Sequence, residues 1–260
     1  LAQLLFRDGV YIMLFSIITV SLNSERTIGD TLKSVESQDC GDYEHIVVDG
    51  ASTDTTLDII EQHRHPRMRH NSEADRGLYD AMNKGLSLAK GDYVLFLNSD
   101  DFFCRTDALS LAAVKIAETQ ADCIFADVKF VKKDGITPAG RIYSARYFRP
   151  SLLRFGVMPP HPSMFVKREL LDRLGGFDTS FRIAADFDFI ARALLLQHGS
   201  FVPMPEVISA FRLGGVSTSG IKSKLIIGRE LAISLRALGQ PMAWLAVQLR
   251  YPLKLIQFRV

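Results

Sequence analysis

Two apolar segments end in acids. Tyr93-Val94-Leu95-Phe96-Leu97 runs directly into Asn98-Ser99-Asp100-Asp101, and His45-Ile46-Val47-Val48 runs into Asp49-Gly50-Ala51-Ser52-Thr53-Asp54. Open α/β sheets bind ligands beyond the carboxyl ends of their strands, so acids in those places are offered to a site. Carboxylates beside hydroxyl side chains suit a hard divalent cation, which takes oxygen ligands and leaves positions for substrate phosphates. A nucleoside diphosphate is the ligand this chemistry points to.

The elements that must carry these groups alternate in type. Apolar strands are predicted at 14–21, 43–49, 67–71 and 92–97, and amphipathic helices at 25–38, 54–63, 78–89 and 106–119. This βαβ rhythm predicts an α/β fold with a mostly parallel sheet flanked by helices. After Ala121 the rhythm changes to a strand through Cys123–Val131, a Lys132-Lys133-Asp134-Gly135 turn and a Pro- and Arg-rich stretch to Pro162. The change marks the passage from a nucleotide-binding half, 13–120, to an acceptor half, 121–220. Met13 directly precedes the first strand, so residues 1–12 read as an upstream extension, without the cleavage pattern of a secretory leader.

A hydrophobic fraction of 47% excludes a disordered chain, and three dispersed cysteines, Cys40, Cys104 and Cys123, exclude a disulfide framework or a C-x-x-C zinc site. A reducing cytoplasm fits that usage. The net charge of +2 is unevenly spread: residues 221–260 hold seven Lys or Arg against the single acid Glu230. Apolar residues there, Trp244 and Phe258 among them, interleave with Arg229, Arg236, Arg250, Lys254 and Arg259. Such a helical tail either lies on an anionic membrane surface or packs its apolar face on the body. The longest apolar stretch, Val10–Val20, is too short for a membrane span.

In this order the motifs resemble the inverting family 2 glycosyltransferases of GT-A fold, over roughly residues 14–218. Ser16–Val20 resembles the family's first strand, Val48–Thr56 its D-G-S-x-D-x-T turn, and Asn98–Asp101 its D-x-D region. Asp75–Gly85 is similar to a stretch of the bacterial capsule and exopolysaccharide branch, the colanic-acid type. His161–Val166 and Gly175–Asp178 resemble the segments before the family's catalytic acid, and Ala184–Asp188 falls at its E-D pair.

The resemblance implies a Mn2+- or Mg2+-dependent transfer of sugar from a nucleotide-sugar donor. Asp100, with Asp101 nearby, would hold the metal against the leaving phosphate. Thr19, Val20, Ser21, Asp49, Ser52, Asn98 and Ser99 would surround the donor, with Asp49 at the nucleobase and Asn98 near the ribose. Asp186 would take the acceptor proton, giving single displacement with inversion. His161 and Asp188 are candidates for the acceptor side.

Each position also has a structural reading. Asp100 and Asp49 could be turn formers, Asp54 reads as a helix N-cap, and His161 between two prolines could only brace a loop. Asp75, Gly77, Asp80, Asn83 and Lys84 are either donor contacts or exposed positions, and Asp80 and Lys84 have the i,i+4 spacing of an ion pair. Asp188 could simply pair with Arg182 or Arg192. Two departures from the family are visible: Asn98 stands for the first acid of D-x-D, and Ala185 for the acid before Asp186.

The Q-x-x-R-W element of processive synthases is absent, so addition of one sugar is expected. The acceptor would be a saccharide or lipid-linked saccharide in bacterial surface polysaccharide synthesis, at the inner face of the plasma membrane, with no nucleic-acid partner. A sugar nucleotidyltransferase is the competing enzyme, although its Gly-rich phosphate loop is missing where Ser21-Leu22-Asn23-Ser24 stands. A non-catalytic nucleotide-sugar-binding or membrane scaffold is the alternative from another class.

Overall fold

The computed structural model describes residues 6–7, 10–11, 15–214, 221–240, 243–250, 253 and 258–259. Much of the expected extension 1–12, and Lys254 in the tail, lie outside them. β1 (Phe6–Arg7) and β2 (Val10–Tyr11) pair with each other antiparallel. The main sheet has ten strands.

Its first half follows the βαβ expectation. β3 (Phe15–Ser21) lies between β4 (Tyr43–Asp49) and β6 (Tyr93–Phe96), with β5 (Met68–Ser72) beyond β4, all parallel. The connecting helices are α1 (Ile28–Glu36), α2 (Thr56–Gln62) and α3 (Leu78–Leu88). Parallel strands are covered on both faces, which is why their sequences are continuously apolar. On β3, Ile18 and Val20 face one core with Met82 and Leu86 of α3, while Phe15 and Ile17 face another with Val35 of α1. The crossing of α3 over β3 requires Gly85, since a Cβ there would stand 2.5 Å from Ile18 Cγ2.

The second half corrects the expectation of a mostly parallel sheet. β8 (Cys123–Val131) joins β6 only through β10 (Met164–Lys167), which is antiparallel to both. β9 (Pro138–Tyr143) pairs antiparallel with β8 and with β12 (Phe258–Arg259), and β11 (Phe201–Arg212) runs parallel to β8. The sheet is therefore mixed. A four-residue strand such as β10 is too short for periodicity to reveal. β11 also pairs with β7 (Phe102–Phe103), immediately after the acidic turn. α4 (Ala108–Thr119), α5 (Arg168–Leu174) and α6 (Ala185–Ala191) complete the body.

The basic segment is not a free appendage. α7 (Ile221–Ala237) and α8 (Ala243–Gln248) place Leu231, Leu235, Ala243 and Val247 in the main core, beside Phe187 and Leu153. No helix among the described residues is long and apolar enough to cross a membrane.

His45 on β4 is wholly buried, with Nε2 3.0 Å from Thr19 Oγ1 and Nδ1 lacking a partner. Burial, aided by nearby His65, pushes its pKa down to about 3. The folded protein thus binds fewer protons than the unfolded chain below the ordinary histidine value near 6.5. Stability held above that pH should fall on acidification towards pH 3, by up to about 1.4 kcal/mol per pH unit from this group. Denaturant midpoints between pH 7 and 4.5 should show this slope, and His45→Asn should flatten it relative to wild type.

Candidate active site

The loops at the carboxyl ends of β3, β4 and β6 meet on one sheet edge, and Asp49 organises two of them. Its carboxylate is wholly buried and accepts hydrogen bonds from Ser21 Oγ (3.0 Å), Ser52 Oγ (2.5 Å), Ser52 N (2.8 Å) and Ser72 Oγ (2.8 Å). These tie the ends of β3, β4 and β5 together. The side chain expected at a nucleobase instead spends both oxygens on its own chain. Thr19 and Val20 are also buried, the first on His45 and the second in the core. The end of β3 contributes two carbonyls to the frame, Val20 to Ser99 N and Ser21 to Gly50 N. Over Gly50 the Asp75 carboxylate packs so closely that a Cβ there would stand 2.4 Å from its Oδ2.

Around that contact the 75–84 stretch staples itself. Asp75 Oδ1 accepts Gly77 N (2.8 Å), and Gly77 takes the φ of +123° that a side chain disfavours. Asp80 accepts Arg76 N (3.0 Å) and lies 3.8 Å from Lys84, which reaches Glu73 at 2.9 Å. Asn83 exchanges two hydrogen bonds with the backbone of Phe177 and so holds that loop. Asp80, Asn83 and Lys84 therefore fix the shape of this stretch, with Asp75 half-buried and Gly77 exposed.

At the end of β6, Thr31 Oγ1 donates to the carbonyl of Asp101 (2.7 Å), and Ser99 Oγ pairs with Ser24 Oγ (2.8 Å). Asp100 is partly exposed. Burial raises its pKa, opposed by its own backbone N–H, by Arg212 and by His161. Asp101 behaves differently from the expected second metal ligand. It is fully buried, Oδ1 accepts Arg212 N (3.2 Å), and Oδ2 has no partner, so burial and the neighbouring Asp100 push its pKa far up. Arg212, absent from the sequence reading, clamps the turn: Nε donates to the Asp100 carbonyl (3.1 Å), and one terminal nitrogen reaches Asp30 (2.7 Å). It arrives 112 residues later in the chain, on β11, and no local pattern announces it.

Asp186, at the start of α6, is held from three sides. His161 Nδ1 lies 3.1 Å from Oδ2, Phe187 N donates to Oδ1 (2.7 Å), and Tyr79 Oη lies 3.5 Å from Oδ1. Tyr79 donates mainly to the Ile183 carbonyl (2.5 Å), and burial together with the Asp186 charge raises its pKa well above normal. Tyr79 was also missed in the sequence, where it reads as an apolar helix position. Behind this group, Glu230 of α7 accepts the backbone N–H groups of Arg182, Ile183 and Ala184 at 2.8, 3.0 and 2.9 Å. Asp188 faces the interior and bonds Arg192 Nε and Ser234 Oγ, both at 2.7 Å, leaving it a strut rather than an acceptor contact. His161 and Asp186 line a cavity of about 250 Å3.

A sequence model described as glycosyl transferase family 2 matches residues 16–175. The chain belongs to that family. This glycosyltransferase is 32% identical over 232 residues to a PGL/p-HBAD biosynthesis glycosyltransferase of Mycobacterium bovis, covering 86% of each chain. It is 27% identical over 192 residues to an uncharacterized glycosyltransferase of Haemophilus influenzae, covering 73% of this chain and 64% of that one. Among solved structures, S. aureus TarS in complex with UDP-GlcNAc superposes with a TM-score of 0.67 at 24% identity, covering 85% of this chain and 66% of TarS 1-349. A mannosyltransferase from Pyrobaculum calidifontis, in complex with GDP-Man and Mn2+, gives 0.62 at 22%, covering 90% and 72%. These likenesses establish the GT-A fold of the glycosyltransferase and set aside the nucleotidyltransferase and scaffold alternatives.

The glycosyltransferase offers a divalent cation few groups. Among the described residues no three His, Cys, Asp or Glu side chains cluster. Asp100 supplies one carboxylate, and Asn98 Oδ1 is a buried oxygen without a hydrogen-bond partner. Such a set fits a hard cation that keeps most of its coordination for water and substrate phosphates.

Proposed function

We propose that the protein is an inverting, metal-dependent, non-processive glycosyltransferase that moves one sugar from a nucleotide-sugar donor to an acceptor in bacterial surface glycan synthesis. The observation that carries this reading is the Asp186 carboxylate, positioned by His161 and Tyr79 in the wall of a cavity. Asp186 takes the proton of the acceptor hydroxyl as that oxygen bonds to the anomeric carbon from the face opposite the leaving group. The anomeric C–O bond breaks and its electron pair leaves with the nucleoside diphosphate. A bound Mn2+ or Mg2+ held by Asp100 and Asn98 would neutralise charge growing on that phosphate. Asp49, Ser21 and Ser52 keep the donor loop in shape, with Gly50, Asp75 and Gly77 next to the nucleobase.

Thermal shifts with UDP, GDP, dTDP and CMP, with and without Mn2+, test the donor site. One nucleotide should stabilise the protein in a metal-dependent way, by about 2.7 kcal/mol at a hundredfold excess over Kd. Asp100→Ala should abolish the metal-dependent part. An equal shift with and without metal, or an unchanged variant, would remove Asp100 from the metal site.

The acceptor is proposed to be lipid-linked and met at the cytoplasmic membrane face. The outer side of α7 and α8 exposes Leu225 (69%), Trp244 (63%) and Leu245, with Leu249 exposed just beyond α8, and Lys224, Arg229 and Arg236 are exposed on α7. An apolar strip flanked by cations suits an anionic lipid surface. Co-sedimentation with vesicles containing phosphatidylglycerol should weaken about tenfold in Trp244→Ser/Leu245→Ser, each buried CH2 contributing roughly 0.8 kcal/mol to membrane affinity. Equal sedimentation of variant and wild type would refute it.

A further inference from the structure

The cavity behind Asp186 has the wrong walls for a sugar. Most of the lining residues are apolar, Val128, Phe130, Met158, Phe211, Ile227 and Leu231 among them. The polar members are few and mostly committed. The Tyr143 hydroxyl donates to the Met158 carbonyl, and the Arg141 guanidinium lies 4.5 Å over the Phe130 ring. Arg250 is almost wholly buried, and it and Arg141 both have partners within the protein. His161 and Asp186 are left as the polar end.

A saccharide ring carries several hydroxyls, each of which needs a partner once water is removed. An acceptor with one hydroxyl on an apolar body needs only the Asp186 end. The aromatic wall favours a flat body: Phe130 and Tyr143 stack at 6.4 Å with 19° between their planes, and Phe211 meets Phe130 edge-on at 5.5 Å. The volume of about 250 Å3 exceeds the roughly 150 Å3 apolar cavity that admits benzene, so a substituted ring fits.

We infer that the group carrying the reacting hydroxyl is an apolar, ring-sized body such as an alkylphenol, seated in the chamber between β8, β9 and α7 with its oxygen at Asp186. The inference rests on the glycosyltransferase reading of Asp186 and adds the chemical class of the acceptor. The acceptor hydroxyl loses its proton to Asp186, and its oxygen replaces the nucleoside diphosphate at the anomeric carbon. Any further saccharide or lipid would lie outside the chamber.

The test is saturation-transfer NMR on the full chain with 4-propylphenol and methyl α-D-mannopyranoside as probes, in the presence of Mn2+ and the nucleotide that stabilises the protein. 4-Propylphenol should bind at least tenfold more tightly. Ile227→Asn, which adds an unpaired amide to the wall, should weaken it at least tenfold. Ile227→Trp, which keeps the wall apolar but fills the chamber, should do the same, so that lost binding does not depend on one variant's folding. The nucleotide thermal shift should be unchanged in both and scores the donor reading separately. Equal or tighter binding of the mannoside, or phenol binding untouched by both variants, would overturn the inference and leave the glycosyltransferase reading standing. Phenol binding that persists without any nucleotide shift would support the chamber while the donor reading fails.

Discussion

Replacing Asp186 by Asn is expected to lower kcat by about 10²–10⁴-fold, the usual contribution of a positioned general base. The KM for donor should stay near wild type, because the base meets the acceptor and not the nucleotide. Asn keeps an oxygen for Phe187 N but removes the basic electron pair and the charge facing His161. Steady-state release of nucleoside diphosphate in the presence of acceptor measures it. A loss below tenfold would take Asp186 out of the chemistry. His161→Gln should cost less, since His161 orients the carboxylate without receiving the acceptor proton. The double variant should be no slower than Asp186→Asn alone, because two residues acting as one unit are not additive.

The second large effect is expected at Glu230, which does not itself line the cavity. Glu230→Ala removes the acceptor for three consecutive backbone N–H groups at Arg182–Ala184, two residues before Asp186. Glu230 is 9% exposed, so water replaces it poorly. Orphaned donors each cost about 1–3 kcal/mol, and about 3–5 kcal/mol in all is expected once a buried charged partner is lost. Urea midpoints would show this loss. Activity at a temperature where the variant is still folded should also fall, with the donor-induced thermal shift retained. Glu230→Gln, which keeps one good acceptor oxygen, should recover part of both. A variant as stable and active as wild type would mean that α7 does not hold the catalytic loop.

That dependence bears on how the chain is divided. Charge and apolar spacing over 221–260 left two readings open, a membrane helix or a packed one. The structure shows packing for Leu231, Leu235, Ala243 and Val247, and hydrogen bonds from α7 to the Asp186 loop and to Asp188. One face of α7 and α8 is spent on the body, and only the other is left for a surface.

The sequence by itself determined the fold class, the order of the first βαβ units and the family. Those depend on local signals: apolar runs of strand length, helix periodicity, and acids directly after strands. It also singled out Asp100, His161 and Asp186. Only the tertiary structure decided what each acid does. Asp49, Asp100 and Asp101 look alike as strand-end carboxylates, but enclosure by Ser21, Ser52 and Ser72 makes the first a brace. Arg212 N takes one oxygen of the third while the other stays buried, and Asp100 remains partly exposed. Tyr79, Arg212 and Glu230 were illegible for the same reason. A hydrogen bond between residues 46 to 112 positions apart is set by how strands and helices pack, and neither composition nor spacing encodes it.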